Sequence, residues 1–235
     1  MEINCDAGEI SREVDDAILP YVSAVNVSCN AHAGDEALVR GTVAQAVALG
    51  VKIGAHPSWP DRANFGRKSM DLSPQQLQES IVTQICWLLE IVEQEGGVLC
   101  TVKPHGALYH DAISHRPIAA ALIEAVRSVD GRLAIVGMAG SELADDCRRA
   151  ELRFVPEAFA DRRYETATQL CSRSKGNAVI DDPEAFEMQL GLLAEGKVKD
   201  VQGEIHSINA ETICLHSDTP NAAQYARIAH EFFSA

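Results

Sequence analysis

The sequence predicts an α/β fold, a seven-stranded parallel (β/α) barrel of TIM-like form, and three observations carry that prediction. Apolar, strand-like runs rich in Val, Ile or Leu recur seven times along the 235 residues, as strands buried on both faces require. Helical patterns stand between them, the signature of repeated β-α units. Ionisable residues gather where an apolar run stops and a Gly- or Pro-containing turn begins, and in a barrel the loops after the strands converge on one face.

Taken in order, the strand-like runs fall at about 2–5, 22–29, 51–55, 98–103, 132–137, 152–156 and 211–215. Helical patterns fall at about 36–49, 74–95, 116–128, 141–150, 184–195 and 221–233, with a shorter one near 13–20. Ser73-Pro74-Gln75-Gln76 supplies a capping hydroxyl, a proline at the first helical position and a Gln three residues on, and Gly96-Gly97 ends that helix. On it, Trp87, Leu88, Leu89, Ile91 and Val92 face the core by period. Asp182-Pro183 and Thr219-Pro220 repeat the cap-then-proline device before the last two helices. The segment after the fourth run, with His110 and His115, reads as a solvated loop. No linker, charge block or short repeat marks a boundary, so residues 1–235 are expected to form a single domain.

An open doubly wound sheet would carry a Gly-rich phosphate fingerprint after its first strand, and none is there. Gly191-Leu192-Leu193-Ala194-Glu195-Gly196-Lys197-Val198 matches most of a phosphate-binding P-loop. It ends a helix instead of joining strand to helix, and Val198 stands where Ser or Thr is needed.

Composition excludes several classes of function. A formal charge of −14 and a pI near 4.9, with no Lys/Arg stripe, make nucleic acid and anionic membrane poor partners. No apolar run reaches the roughly 20 residues that span a bilayer, and the N-terminus enters strand-like sequence at once, so a cytoplasmic protein is expected. Seven scattered cysteines without a C-x-x-C pair predict reduced thiols, and Cys29, in an alternating strand, reads as core.

The segments that end the strands are distinctive as a set. Ser28-Cys29-Asn30-Ala31-His32-Ala33-Gly34-Asp35, Gly54-Ala55-His56-Pro57-Ser58-Trp59-Pro60-Asp61, Phe65-Gly66-Arg67, Lys103-Pro104-His105-Gly106-Ala107-Leu108-Tyr109 and Glu157-Ala158-Phe159-Ala160-Asp161-Arg162 resemble the LamB/YcsF family. The resemblance runs from Asn4 to about Thr219, in the same order and with similar spacing. It implies a barrel of the glycoside hydrolase/deacetylase type. It also implies the A subunit of a bacterial ATP-dependent 5-oxoprolinase, which opens the lactam 5-oxoproline (pyroglutamate) to glutamate while partner subunits B and C hydrolyse ATP. The missing nucleotide motif agrees with that division of labour. Three segments depart from the family. The first loop is shortened, with Gly8-Glu9-Ile10-Ser11 running almost at once into Asp15-Asp16. Asn30-Ala31-His32 replaces the usual Gly-Phe-His, and Thr166-Ala167-Thr168 replaces a Pro-Asp-Gly turn.

Hydrolysis needs a base for water, donors toward the developing oxyanion and positive charge for an anionic substrate. Asp6, Asp35, Glu157 and Asp161 are base candidates, with Asp6 leading because it closes the first strand. Lys103 ends an apolar strand against Pro104, so its ammonium is expected to be buried with an anionic partner and to stabilise charge or bind a substrate carboxylate. His32, His56 and His105 stand at the ends of successive strands and are assigned with Asp6 and Lys103 to the catalytic set. Asn4, Asp35, Arg67, Tyr109, Glu157, Asp161, Arg162 and His216 are the substrate-binding candidates.

Asp6, His32 and His56 also have the ligand types for a divalent cation, and deacetylase barrels use an Asp-His-His set. A phosphorylated lactam does not require a metal-bound hydroxide, so a metal at these three residues is not favoured. Two rival readings make different predictions. A metal-dependent amidase or deacetylase would act on a small amide without ATP. A non-catalytic binding subunit would lose binding, and leave partner turnover intact, when Asp6 or Lys103 is changed.

Overall fold

In the computed structural model, which describes residues 1–173 and 176–234, seven parallel strands close into one barrel. They are β1 (Glu2–Ala7), β2 (Ala24–Ser28), β3 (Lys52–His56), β4 (Leu99–Val102), β5 (Ala134–Met138), β6 (Phe154–Phe159) and β7 (Thr212–His216). Each pairs with its neighbour in sequence, and β7 closes on β1 with Asp6 opposite His216. All seven predicted strands are present, their ends displaced by at most three residues.

The helices wrap the outside: α1 (Arg12–Ile18), α2 (Glu36–Leu49), α3 (Pro74–Gln94), α4 (Gly106–Ser114), α5 (Arg116–Val129), α6 (Glu142–Arg149), α7 (Pro183–Ala194) and α8 (Ala222–Ser234). On α3 the buried residues Leu77, Ile81, Ile85, Leu88 and Val92 recur at helical spacing. Each fully buried aliphatic side chain among them stabilises the fold by about 1.5–3 kcal/mol relative to exposure. The Ser73 capping box and the Asp182 cap form as the sequence indicates. None of the described helices is long and apolar enough to cross a membrane.

Three local expectations are corrected. The segment after β4 is helix α4, not a loop: Leu108, Tyr109 and Ala112 give it a buried face that the flanking Gly and His residues mask in the sequence. Thr219-Pro220 does not cap α8, because the Thr219 hydroxyl donates to the His216 carbonyl and Asn221 is left-handed, so the helix starts at Ala222. After β6 the chain does not go straight to a helix. A short antiparallel ladder, Tyr164–Thr166 with Gln169–Leu170, precedes α7, and a second, Lys197–Lys199 with Ile205–Ser207, follows it. The P-loop-like stretch spans the end of α7 and the first strand of this second ladder, so it holds no strand-to-helix turn.

The loops after β1 and β2 are pressed together. Gly34 has φ +73°, and a Cβ there would stand 2.2 Å from the Gly8 carbonyl oxygen. Gly34→Ala combines a left-handed penalty with a backbone collision. We expect a loss of about 2–3 kcal/mol, read by calorimetry as a Tm lower by about 5–10 °C; an unchanged Tm would mean that the two loops are not in this contact.

Candidate active site

Strand alternation aims a set of polar side chains into the barrel. Asn4 and Asp6 from β1, Asn26 from β2, Glu157 from β6 and Cys214 from β7 all point inward, and Lys103 enters from the end of β4. The Lys103 ammonium is the hub. It lies 3.1 Å from Asp6 Oδ1, 2.9 Å from Glu157 Oε1 and 2.9 Å from Cys214 Sγ, 5.5 Å above the Phe159 ring centroid. Burial works against its charge, but Asp6, Cys214 and Glu157 outweigh that and hold its pKa well above the usual lysine value. Glu157 is completely buried and saturated: its Oε1 also accepts from Asn4 Nδ2 at 3.0 Å, and its Oε2 accepts from the Tyr109 hydroxyl at 3.2 Å. Asn26 Nδ2 donates to both Asn4 Oδ1 and Asp6 Oδ1.

Asp6 joins this hub to a second group. Its Oδ2 is 3.3 Å from His56 Nε2. Burial opposes ionisation of Asp6, but His56 and Lys103 prevail, so the carboxyl sits well below its ordinary range. His56, in turn, is raised against its own burial by Asp6 and Glu9. Around it stand Glu9, His32 and His105. Glu9 Oε1 lies 2.8 Å from His32 Nε2, 3.3 Å from His105 Nδ1 and 3.7 Å from His56 Nε2. His32 and His105 stack with ring centroids 3.8 Å apart. Burial lowers His32 to about 4 despite its bond to Glu9, which keeps it neutral at pH 7. Glu9 is itself held well below the carboxylate range: burial resists, and bonds to His105 and His32 win.

The turn at residues 65–67 packs directly on these rings. Gly66 has φ +65°, and a Cβ there would fall 2.1 Å from Ser58 Oγ and 3.0 Å from atoms of both His105 and His32. Only glycine lets the Phe65 carbonyl approach His105 Nε2 to 2.9 Å.

Above this floor opens a pocket of about 750 Å³, the size that takes a whole small ligand. Asp6, Glu9, His56, Lys103 and His105 line its base, and Arg67, Arg162, Arg173, His216 and Asp218 line its walls and mouth. Arg67 and Arg173 share Asp218, the latter through two bonds of 2.9 and 3.1 Å. Arg162 donates to the Ala178 and Cys171 carbonyls and so also holds the wall loop in place. Asp161, fully buried, accepts from the His216 backbone N–H at 2.9 Å and lies 3.0 Å from His216 Nδ1.

The predicted residues thus separate by position. Asp6, His56, Lys103, His105, Arg67, Tyr109, Arg162 and His216 line the pocket. Asn4, His32, Glu157 and Asp161 stand behind the lining and hold it. Asp35 is corrected: it is exposed, its carboxylate caps α2 by accepting from the Leu38 N–H, and it lies outside the pocket. The Asp6-His32-His56 ligand set is also corrected. The residues that converge are Glu9, His32, His56 and His105, whereas Asp6 groups with Cys214 and His216. Glu9 was not among the sequence candidates, although Gly8-Glu9 ends the Asn-x-Asp-x-Gly-Glu stretch of the first loop. Arg173 and Cys214 gave no signal, since one lies in an irregular loop and the other reads as a core strand residue. Asn26, alternating with Val25 and Val27, is a polar position in an apolar strand and was visible as such.

The whole chain, residues 1–235, matches the profile of the LamB/YcsF family. The chain belongs to that family. Among similar LamB/YcsF proteins, the 5-oxoprolinase A subunit of Geobacillus kaustophilus is 42% identical over 231 residues, covering 97% of this chain and 90% of its own length. The 5-oxoprolinase A subunit of Bordetella pertussis is 40% identical over 232 residues, covering 97% and 92%. The crystal structure of the lactam utilization protein from Thermus thermophilus superposes with a TM-score of 0.90 at 37% identity, covering 100% of this chain and 97% of that one.

The electrostatics of the site set two expectations. Asp161 is lowered because His216 and Arg162 overcome its burial, so it adds stability above the ordinary carboxylate range and loses it as pH falls through its depressed value. Asp161→Asn should therefore cost about 3 kcal/mol near pH 7, a Tm drop of about 6–12 °C, with the gap to wild type closing in acid; a gap independent of pH would contradict the pairing. Burial pushes the Cys29 thiol up to about 12, whereas Cys86 is exposed. Iodoacetamide on the native protein at pH 8 should modify Cys86 and spare Cys29, as peptide mass mapping would show.

Proposed function

We propose that this LamB/YcsF protein opens the ring of 5-oxoproline to give glutamate, as the A subunit of an enzyme whose partner subunits B and C supply ATP hydrolysis. The observation that carries the reading is Lys103, a buried ammonium at the base of a pocket, between two carboxylates and beside the histidine cluster. The names of its relatives, 5-oxoprolinase A subunits and a lactam utilization protein, support the same substrate class.

Ring opening adds water to the lactam carbonyl carbon, breaks the ring C–N bond and protonates the departing nitrogen. Asp6, ionised at the pocket base, is the acceptor placed to orient the attacking water. Lys103 offsets the negative charge that builds on the carbonyl oxygen, a role for which a fixed, desolvated cation is well suited. His56 and His105 line the same floor, and the departing nitrogen takes up the proton that the attacking water gives up. Arg67 and Arg173 at the mouth suit the substrate carboxylate. An amide is a poor electrophile, so activation of its oxygen in a partner-dependent, ATP-consuming step precedes water attack. A cytoplasmic location follows from the dependence on ATP.

Glutamate release from 5-oxoproline and ATP, with the partner subunits of the same genome present, should require this chain. Lys103→Met, shown by circular dichroism to be folded, should lower release by about 10²–10³-fold, and Asp6→Asn should do the same. Near-normal release with either folded variant would sink the assignment. Release that persists without ATP would favour an ATP-independent amidase instead.

A further inference from the structure

Two of the clustered histidines have their tautomers fixed by backbone. His56 Nδ1 lies 2.7 Å from the Lys103 carbonyl oxygen, and His105 Nε2 lies 2.9 Å from the Phe65 carbonyl oxygen. A carbonyl only accepts, so each of those nitrogens carries its hydrogen. In the neutral rings the other nitrogens, His56 Nε2 and His105 Nδ1, are then bare lone pairs. These two face each other at 3.1 Å, and both face Glu9 Oε1, at 3.7 and 3.3 Å. His32 presents its Nε2 to the same carboxylate oxygen at 2.8 Å, while its Nδ1 has no partner among the described residues. Four acceptor-capable atoms, three from loops and one from the last residue of β3, therefore gather together, all within 4.8 Å of one another. Without a proton or a metal cation between them, the facing lone pairs repel in a buried setting.

We propose that Glu9 Oε1, His32 Nε2, His56 Nε2 and His105 Nδ1 form a binding site for one divalent transition-metal ion of the zinc class. Three imidazoles and one carboxylate suit that class, whereas calcium and magnesium prefer all-oxygen shells. The spacing fits as well. A tetrahedral ion with bonds of about 2.0–2.1 Å keeps its ligands about 3.3 Å apart; four of the six pairs here run from 2.8 to 3.7 Å, and all lie within 4.8 Å. The carbonyls of Lys103 and Phe65 serve as the outer partners that orient ligating histidines. Glu9, His56 and His105 also line the pocket, so the ion faces the substrate space. Its use in catalysis rests on the lactam reading above; its binding does not. When bound, it supplies Lewis-acid charge beside Asp6 and Lys103.

The test is chelator-stripped full-length protein, re-equilibrated with Zn(II) and dialysed, with metal counted by mass spectrometry and Co(II) titrated by visible absorption. We expect one ion per chain and a tetrahedral Co(II) spectrum. His105→Ala, checked for fold by circular dichroism, should weaken Co(II) binding by about a hundredfold or more, at or beyond the upper end seen for residues that merely orient ligands. Asp200→Ala, in the separate Asp200-Glu204-His206 cluster, should leave binding unchanged. No retained ion in wild type, undiminished binding in folded His105→Ala, or loss of binding in Asp200→Ala would each overturn the site. Glutamate release measured on the same samples keeps the two proposals apart. A bound ion without release rejects the lactam reading and leaves the site standing, whereas release from stripped protein supports the lactam reading and rejects only a part for the ion in catalysis.

Discussion

A single buried ammonium organises the interior of this barrel. Lys103 reaches Asp6 on β1, Glu157 on β6 and Cys214 on β7, so three strands that are distant in sequence are tied to the end of β4. Buried ion pairs roughly break even against apolar packing, but removing one partner costs about 3–5 kcal/mol because the others are left uncompensated. The interior is therefore not there to add stability. It fixes where the charges stand. Two carboxylates against one ammonium leave a negative excess, and Asp6 passes that excess to His56 through its second oxygen. The histidine cluster and the lysine hub are consequently one electrostatic unit with a shared carboxylate at its centre.

This unit depends on backbone shape as much as on charge. Gly66 lets a turn rest on two histidine rings, and Gly34 lets the second loop lie on the first. Those approaches bring Glu9 and His32, which come from different loops, to one bond. Substitution at either glycine displaces these side chains through packing, without touching a charged group.

The barrel was legible in the sequence because its period is local: seven Val/Ile-rich runs and the helices between them register without knowledge of the whole. Lys103 was legible for a physical reason too, since an ammonium at the end of an apolar strand and against a proline needs a buried anion. Which anions it meets was not, because Asp6 and Glu157 lie 97 and 54 residues away and only closure of the sheet brings them in. Asp35 shows the converse failure. An aspartate after Gly in a strand-end loop fits a site and a helix cap equally well, and its exposed N-cap geometry decides for the cap. Glu9 is hidden in the sequence because a shortened loop reads as loss, whereas its carboxylate turns inward onto three imidazoles.

The two guanidiniums that share Asp218 carry one more consequence. Two cations on one carboxylate leave a surplus positive charge at the mouth of the pocket, on a chain whose formal charge is −14. An incoming small anion is repelled by the molecule at long range and drawn in only near this rim. Capture is thus set by a short-range field that salt screens over about 8–10 Å. Ionic strength then weakens both the distant repulsion and the local attraction, and the balance between them tunes how readily the pocket fills without altering the buried groups below.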